Sequence, residues 1–361
     1  MRETALRRHD NPLLVGRAGP ARRSVMIGRR PDGGLGQPAL PGSRAGLRLG
    51  IVFLVLLIGF PLSTNAETNA VERGLAWLVA QQKYSGEWSS NPALNALPML
   101  ALMSAGRTPG TRPYTSPLDR GLRFLLAQQA ADGTCTGRGA RMYGHALATI
   151  TLAEAYGMAR DDRFMQPALK RAVRVILRAQ EVEKGTFHDG GWRYEPTSTD
   201  SDLSVTVWQV IALKAASEAG ISVPRAALER AGRYVKRCEH PSGGFGYQPG
   251  GFPNQSRSAA GIIALRFGGW SKDPAIARAQ RWLEKNPLQW EDDYFYHAAC
   301  HLAHAEVGWN PKLMLDHQNA DGSWPAAPNS PNEAKAGPLY STAMAVLALT
   351  ADWHYLPVFM Q

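Results

Sequence analysis

Five times along this chain an amphipathic stretch runs into a short turn built on glycine, usually with an aromatic residue. Four of the turns carry Gln: QQKYSGEW (81–88), QQAADGTC (128–135), AQEVEKGTFHDGGWRY (179–194) and QNADGSW (318–324). The fifth, CEHPSGGFGY (238–247), keeps the glycines and aromatics but lacks the Gln. Gln82 and Gln129 are 47 residues apart, and Gln129 and Gln180 are 51 apart. A period near 50 holding two helical patterns means stacked helix pairs, because no single pair buries its own apolar face.

Within each unit the two helices differ in composition. The stretches 71–82, 117–129, 166–180, 224–238, 275–285 and 310–318 carry Arg, Lys and Glu on one face and read as outer helices. Those at 92–105, 141–157, 202–219, 256–267, 293–307 and 338–351 are dense in Ala, Leu, Ile and Val all round and read as inner helices. Pro92, Pro117, Pro167, Pro224, Pro274 and Pro311 fall near helix starts, where the missing N–H costs little. Six outer and six inner helices, with no polar capping unit at either end, predict an all-α chain closed into a ring, with an open solenoid as the alternative.

The net charge of +10 invites a nucleic-acid reading, but residues 1–66 hold ten Arg against three acidic residues. The excess is mostly local to that segment, so no basic binding face and no nucleic-acid partner are expected. Residues 1–48 are Arg-, Gly- and Pro-rich without periodicity and read as a disordered extension. The apolar run 49–60 follows Arg44 and Arg48 and ends in Pro61 and Ser63-Thr64-Asn65-Ala66. Basic flank, short apolar core and small-residue exit match a secretory signal cut after Ala66; an uncleaved signal anchor, associated with the membrane through 49–60, is the alternative. The folded domain is then 67–361, exported to the periplasm or cell envelope. Cys135, Cys238 and Cys300 are widely spaced, form no CxxC pair and read as small buried thiols.

The Gln–Gly–Trp turns resemble the QW repeats of squalene–hopene and oxidosqualene cyclases, and the helix pairs look like those of protein prenyltransferase β subunits. The stretch Gly337–Ala345 is similar to the final repeat of exported bacterial prenyltransferase/squalene-oxidase-repeat proteins. The resemblance covers about residues 70–361 and implies an (α/α)6 toroid with a central cavity. In such a ring the inner-helix N-termini converge on one rim, where unpaired N–H groups favour an anion or an electron-rich ligand. The polar residues at these starts are the site candidates: Tyr143 and His145; Asp200, Asp202 and Ser204; Ser256 and Arg257; Tyr296 and His297; Tyr340.

Squalene–hopene-type cyclases carry Asp-x-Asp-Asp at the matching helix start, and the middle acid protonates an alkene. On that resemblance Asp200 matches the first Asp and Asp202 the proton donor, with Leu203 in place of the last Asp. Helix capping is the competing role for either carboxylate. The Phe295-Tyr296-His297 segment resembles the one that supplies a zinc-binding His in prenyltransferase β subunits. The Asp-x-Cys pair that would complete that site is replaced by Asn254-Gln255-Ser256-Arg257-Ser258-Ala259, so neither metal nor cofactor is expected. A glycan-cleaving toroid would need two carboxylates about 5–9.5 Å apart, and only Asp200 and Asp202 stand out.

The resulting expectation is an exported terpenoid cyclase/prenyltransferase-like repeat protein whose cavity takes an apolar or isoprenoid-like small molecule, as a binder or degenerate enzyme. An active class II cyclase using Asp202 and a non-enzymatic cell-envelope scaffold are the alternatives. Squalene-type cyclases carry a second barrel that this chain has no room for, which favours binding over polycyclisation. The mature protein should begin at or near Glu67, and N-terminal sequencing of native material checks it: a start at Arg2 or Met26 would refute the signal.

Overall fold

The structure, a computed structural model, describes residues 65–110, 115–137, 139–158 and 164–360. The extension 1–48 and the apolar run 49–60 lie outside the described residues. Among the described residues there are thirteen α-helices and no strand, only three isolated β-bridges. The inner helices are α2 (Pro92–Ser104), α4 (Arg141–Met158), α6 (Leu203–Glu218), α8 (Gln255–Phe267), α10 (Phe295–His304) and α13 (Pro338–Leu349). The outer ones are α1 (Asn65–Ala80), α3 (Thr115–Gln128), α5 (Met165–Glu181), α7 (Arg225–Arg237), α9 (Pro274–Lys285) and α11 (Lys312–Leu315). Each inner helix packs on the next round the ring, and α13 returns to pack on α1 and α2. The ends therefore meet, and the fold is a closed (α/α)6 toroid rather than an open solenoid. A cut after Ala66 would trim only the first two residues of α1.

The repeated turns show why the units stack. At the end of α1, Gln82 Nε2 donates to Gly86 O in its own turn (2.8 Å) and to Pro117 O on the next outer helix (2.8 Å). Gln129 does the same with Gly133 O (3.2 Å) and Ala168 O (2.9 Å), and Gln180 with Gly190 O (2.8 Å) and Ala227 O (2.9 Å). Three residues beyond each acceptor stands an arginine. Arg120 and Arg171 return a hydrogen bond to Oε1 of Gln82 and Gln129, each at 2.7 Å. Arg230 instead pairs with Glu181 and Asp189, leaving the Gln180 Oε1 without a partner.

Each turn glycine rests on that arginine's carbonyl. A Cβ on Gly86, Gly133, Gly190, Gly243 or Gly322 would lie 2.4–2.9 Å from the carbonyl oxygen of Arg120, Arg171, Arg230, Arg278 or Arg73, and all five have φ between 87° and 106°. Only glycine serves there. The aromatic residue then pins the turn to its own outer helix: the indole N–H groups of Trp88, Trp192 and Trp324 donate to Leu78 O, Ile176 O and Met314 O.

The seam closes with the same device. Gln318 Nε2 bonds Gly322 O (2.9 Å) and Ala70 O (2.8 Å), and Arg73 donates to Gln318 Oε1. In the fifth turn Glu239 stands where the Gln would, four residues before Gly243, and Arg278 pairs with both of its carboxylate oxygens. The turn from α9 to α10 has no such glycine or Gln, and the outer helix it faces is reduced from the expected 310–318 to the four residues of α11. There Trp290 stacks on His317, centroids 3.8 Å apart. An additional short helix, α12 (Pro331–Ala336), and 3-10 turns at 351–353 and 357–359 complete the chain. Cys135, Cys238 and Cys300 are free and buried, and burial pushes their thiols up to about 12.

The Gln180 amide is fully buried. Gln180→Ala removes two buried hydrogen bonds and should lower the unfolding free energy by about 1–3 kcal/mol. Gly190→Ala, which forces a Cβ onto Arg230 O, should cost at least as much; denaturant unfolding of both variants checks the order.

Candidate functional site

The expected rim exists, but its N–H groups are mostly taken. Asn91 and Asn254 cap α2 and α8 through their side-chain oxygens, accepting from Ala93 N (2.9 Å) and Arg257 N (2.9 Å). The first N–H groups of α4 and α6 are met from neighbouring turns, Met142 N donating to Tyr194 O (2.8 Å) and Leu203 N to Tyr247 O (2.9 Å). The α10 terminus is capped by a carboxylate from α12: Glu333 accepts from Tyr296 N (3.3 Å) and His297 N (3.1 Å). The rim is thus not a ring of bare N–H groups, and its chemistry rests on side chains.

Asp202 occupies the N-cap position of α6 and is fully buried. Its Oδ1 accepts from Val205 N at 2.8 Å, which is the capping bond. Its Oδ2 receives no hydrogen bond, with Arg193 Nε 3.7 Å away. Burial raises the carboxyl to about 6, opposed by the Val205 N–H, Tyr247 and Arg193. The neighbouring carboxylate, Asp200, pairs with the Arg193 guanidinium and is partly exposed. Arg193 lies over the rings of Tyr194 (5.1 Å) and Tyr247 (5.6 Å), whose hydroxyls are 2.5 Å apart. Tyr143 joins this group, 6.2 Å from Tyr194, with its hydroxyl bonded to Ser204. Burial and Asp202 both hold the Tyr143 and Tyr247 phenols neutral.

The other candidates divide into two sets. His297, Tyr340 and Arg257 sit in the first turns of α10, α13 and α8, partly accessible. His297 Nε2 accepts from the Trp208 indole N–H (3.1 Å) while Nδ1 bonds Ser256 Oγ (2.7 Å), and Tyr340 donates to Glu333 (3.3 Å). Arg257 is held by Phe252 O (3.0 Å). His145 and Tyr296, by contrast, are part of the wall. His145 Nδ1 accepts from Cys135 N (3.1 Å) and its Nε2–H donates to Ala172 O (3.0 Å); burial drives it down to about 4. The equivalent turn N–H groups of Trp88, Trp192, Phe245 and Trp324 are met by Asn95, Thr206, Ser258 and Thr342, so His145 is one of five interchangeable staples. Tyr296 spends its hydroxyl on Pro325 O (2.5 Å).

Arg193, Tyr194, Tyr247, Trp208 and Glu333 were not singled out in the sequence. Tyr194 and Tyr247 had a signal: each stands two residues after the aromatic of its turn, Trp192 and Phe245, so both point the same way in register. Below Trp208 the lumen narrows to an apolar cavity of about 20 Å³, little more than one water's room. Inner-helix residues such as Leu100, Ile211 and Ile263 wall it, and Leu356 and Phe359 of the chain's final turn floor it. Among the described residues no three His, Cys, Asp or Glu side chains converge as a metal site would require, and no helix is long and apolar enough to cross a membrane.

No family model matches the chain, and no curated protein matches it in sequence. Solved structures resemble its fold. The type II terpene cyclase MstE from Scytonema superposes with a TM-score of 0.54 at 15% identity, over 81% of this chain and 100% of that one. A variant of it bound to its substrate, geranylgeranyl dihydroxybenzoate, gives 0.52 at 15% identity, over 81% and 99%. The α-1,6-mannanase GH76A from Salegentibacter gives 0.59 at 10% identity, over 80% and 99%. The chain therefore has a terpene cyclase-like helical toroid fold, shared with that mannanase. The match spans the whole of a type II terpene cyclase chain, so the lack of room for a second barrel does not by itself favour binding over cyclisation.

Asp202 gives a prediction with a definite sign. Its folded-state value lies above its ordinary one, so the protonated form is favoured on folding, and stability is lost as pH rises from about 4 to about 6. The loss should be of order 2–3 kcal/mol. Asp202→Asn keeps the capping oxygen and should abolish that pH-dependent loss, whereas Asp202→Ala loses the cap at every pH, about 0.5–2 kcal/mol. Thermal unfolding of the three proteins between pH 3.5 and 8 checks it.

Proposed function

We propose that the lumen binds an apolar, isoprenoid-like small molecule whose reactive or polar end lies at the Asp202–Arg193–Tyr247 cluster, in a protein exported by the signal at 49–66. The observation that carries this reading is Asp202 itself. One oxygen performs the structural task of capping α6, while the other is buried beside the tyrosines with the Arg193 guanidinium 3.7 Å away and no close hydrogen bond. A cap alone needs no such second oxygen, which is costly to bury. The apolar lining below Trp208 favours an isoprenoid over a glycan, and the likeness to a cyclase with a geranylgeranyl-bearing substrate is consistent with that choice.

Proton transfer is the second reading, favoured by the same Oδ2. When protonated it would place an acid hydrogen on the lumen side of α6, where an alkene carbon of the ligand takes it. Arg193 works against that form, and Leu203 supplies no second carboxyl to activate it, so binding is the stronger reading. Native mass spectrometry of the purified protein after exposure to a membrane lipid extract should show a retained hydrophobic adduct, and its absence would sink the proposal. Incubation with geranylgeranyl dihydroxybenzoate separates the two readings: a cyclised product made by the native protein and lost in Asp202→Asn would establish the acid.

A further inference from the structure

The lower lumen holds a second buried polar atom that nothing in the fold uses. His301 on α10 is 2% exposed and lines the apolar cavity. Its Nδ1–H donates to His297 O at 2.7 Å, so Nε2 carries the lone pair, and no donor reaches it. The neighbouring indole N–H of Trp208, whose ring is 5.0 Å from that of His301, is already given to His297. Burial holds the His301 imidazole neutral, down to about 4. An acceptor left bare in an apolar cavity is an expense for the empty protein that a donor on a ligand removes. No charged side chain lines this cavity, so an anionic or cationic head group has no counter-charge there.

Space has to come from the floor, because the inner helices pack on one another all the way round. The final turn is the part of the lining that lies outside that ring: Val358 N donates to Glu154 Oε1 (3.3 Å), and Phe359 packs on His304 and Phe267 (4.0 and 5.9 Å between centroids). Resting on the reading of the lumen as an apolar ligand cavity, we infer that its lower end is a subsite for the hydroxyl of an apolar alcohol. The hydroxyl donates to Nε2 of His301, and the hydrocarbon takes the place of Leu356 and Phe359.

The test compares farnesol with its hydrocarbon counterpart farnesene by equilibrium dialysis against the full chain. The quantity read is the ratio of the two affinities, which cancels what the shared hydrocarbon contributes. His301→Phe should lower that ratio about 10-fold or more by weakening farnesol binding, with farnesene changed less than twofold; His301→Leu serves if the Phe variant fails to fold. Phe359→Ala should tighten both probes. A ratio that survives both His301 variants overturns the inference while leaving the apolar cavity standing. Failure of both probes to bind either the native protein or Phe359→Ala overturns both readings.

Discussion

A side-chain amide placed at the end of an outer helix holds this ring together. With two N–H groups, one glutamine reaches both a glycine carbonyl of its own turn and a backbone carbonyl near the start of the next outer helix. The glycine of the same turn lies flat on the neighbouring arginine's carbonyl, and that arginine commonly bonds back to the amide. Neighbour is thus fixed to neighbour by three contacts within a few residues, and packing of the inner helices follows from how the outer ones are spaced. Where the amide is missing, a substitute appears: Glu239 takes Arg278, and Trp290 on His317 fills the joint that lost its outer helix.

This scaffold decides what the rim can do. Because the turns also supply caps for neighbouring inner helices, the positive helix ends that would draw an anion are satisfied within the protein. What survives is a small number of side-chain groups with unspent capacity. Asp202 is the clearest, since it does structural work with one oxygen and none with the other. Arg193 lies between Asp202 and Asp200, separating two carboxylates whose sequence spacing suggests mutual repulsion.

The helices were legible because their signals are local: apolar all round for the inner set, one charged face for the outer, glycine at each turn. Inner-helix limits read from sequence fall within a few residues of α2, α4, α6, α8, α10 and α13. The shortened α11 was not foreseen, because Leu313 and Met314 continue an apolar pattern that only the missing Gln–Gly joint interrupts. Around the site, Asp202 was visible as a cap and acid candidate, but His145 was indistinguishable from a ligand-binding histidine. Its role shows only when Cys135 N is placed opposite it, ten residues back across a turn. Glu333 was invisible for a similar reason, since the helix end it caps lies 36 residues away at His297.

The joint between Gln318 and Ala70 spans 248 residues of sequence, whereas the equivalent joint at Gln82 spans 35. During synthesis on the ribosome the earlier joints can form in order, each as its next outer helix emerges. Helix α1 has no such option on its outer flank, for its partner is among the last segments made. Until then the face of Gly74 that Trp324 will cover is open, and the growing chain carries an adhesive edge for nearly its whole time of synthesis. A chaperone or a neighbouring nascent chain would find that edge first, and two half-made chains could exchange it.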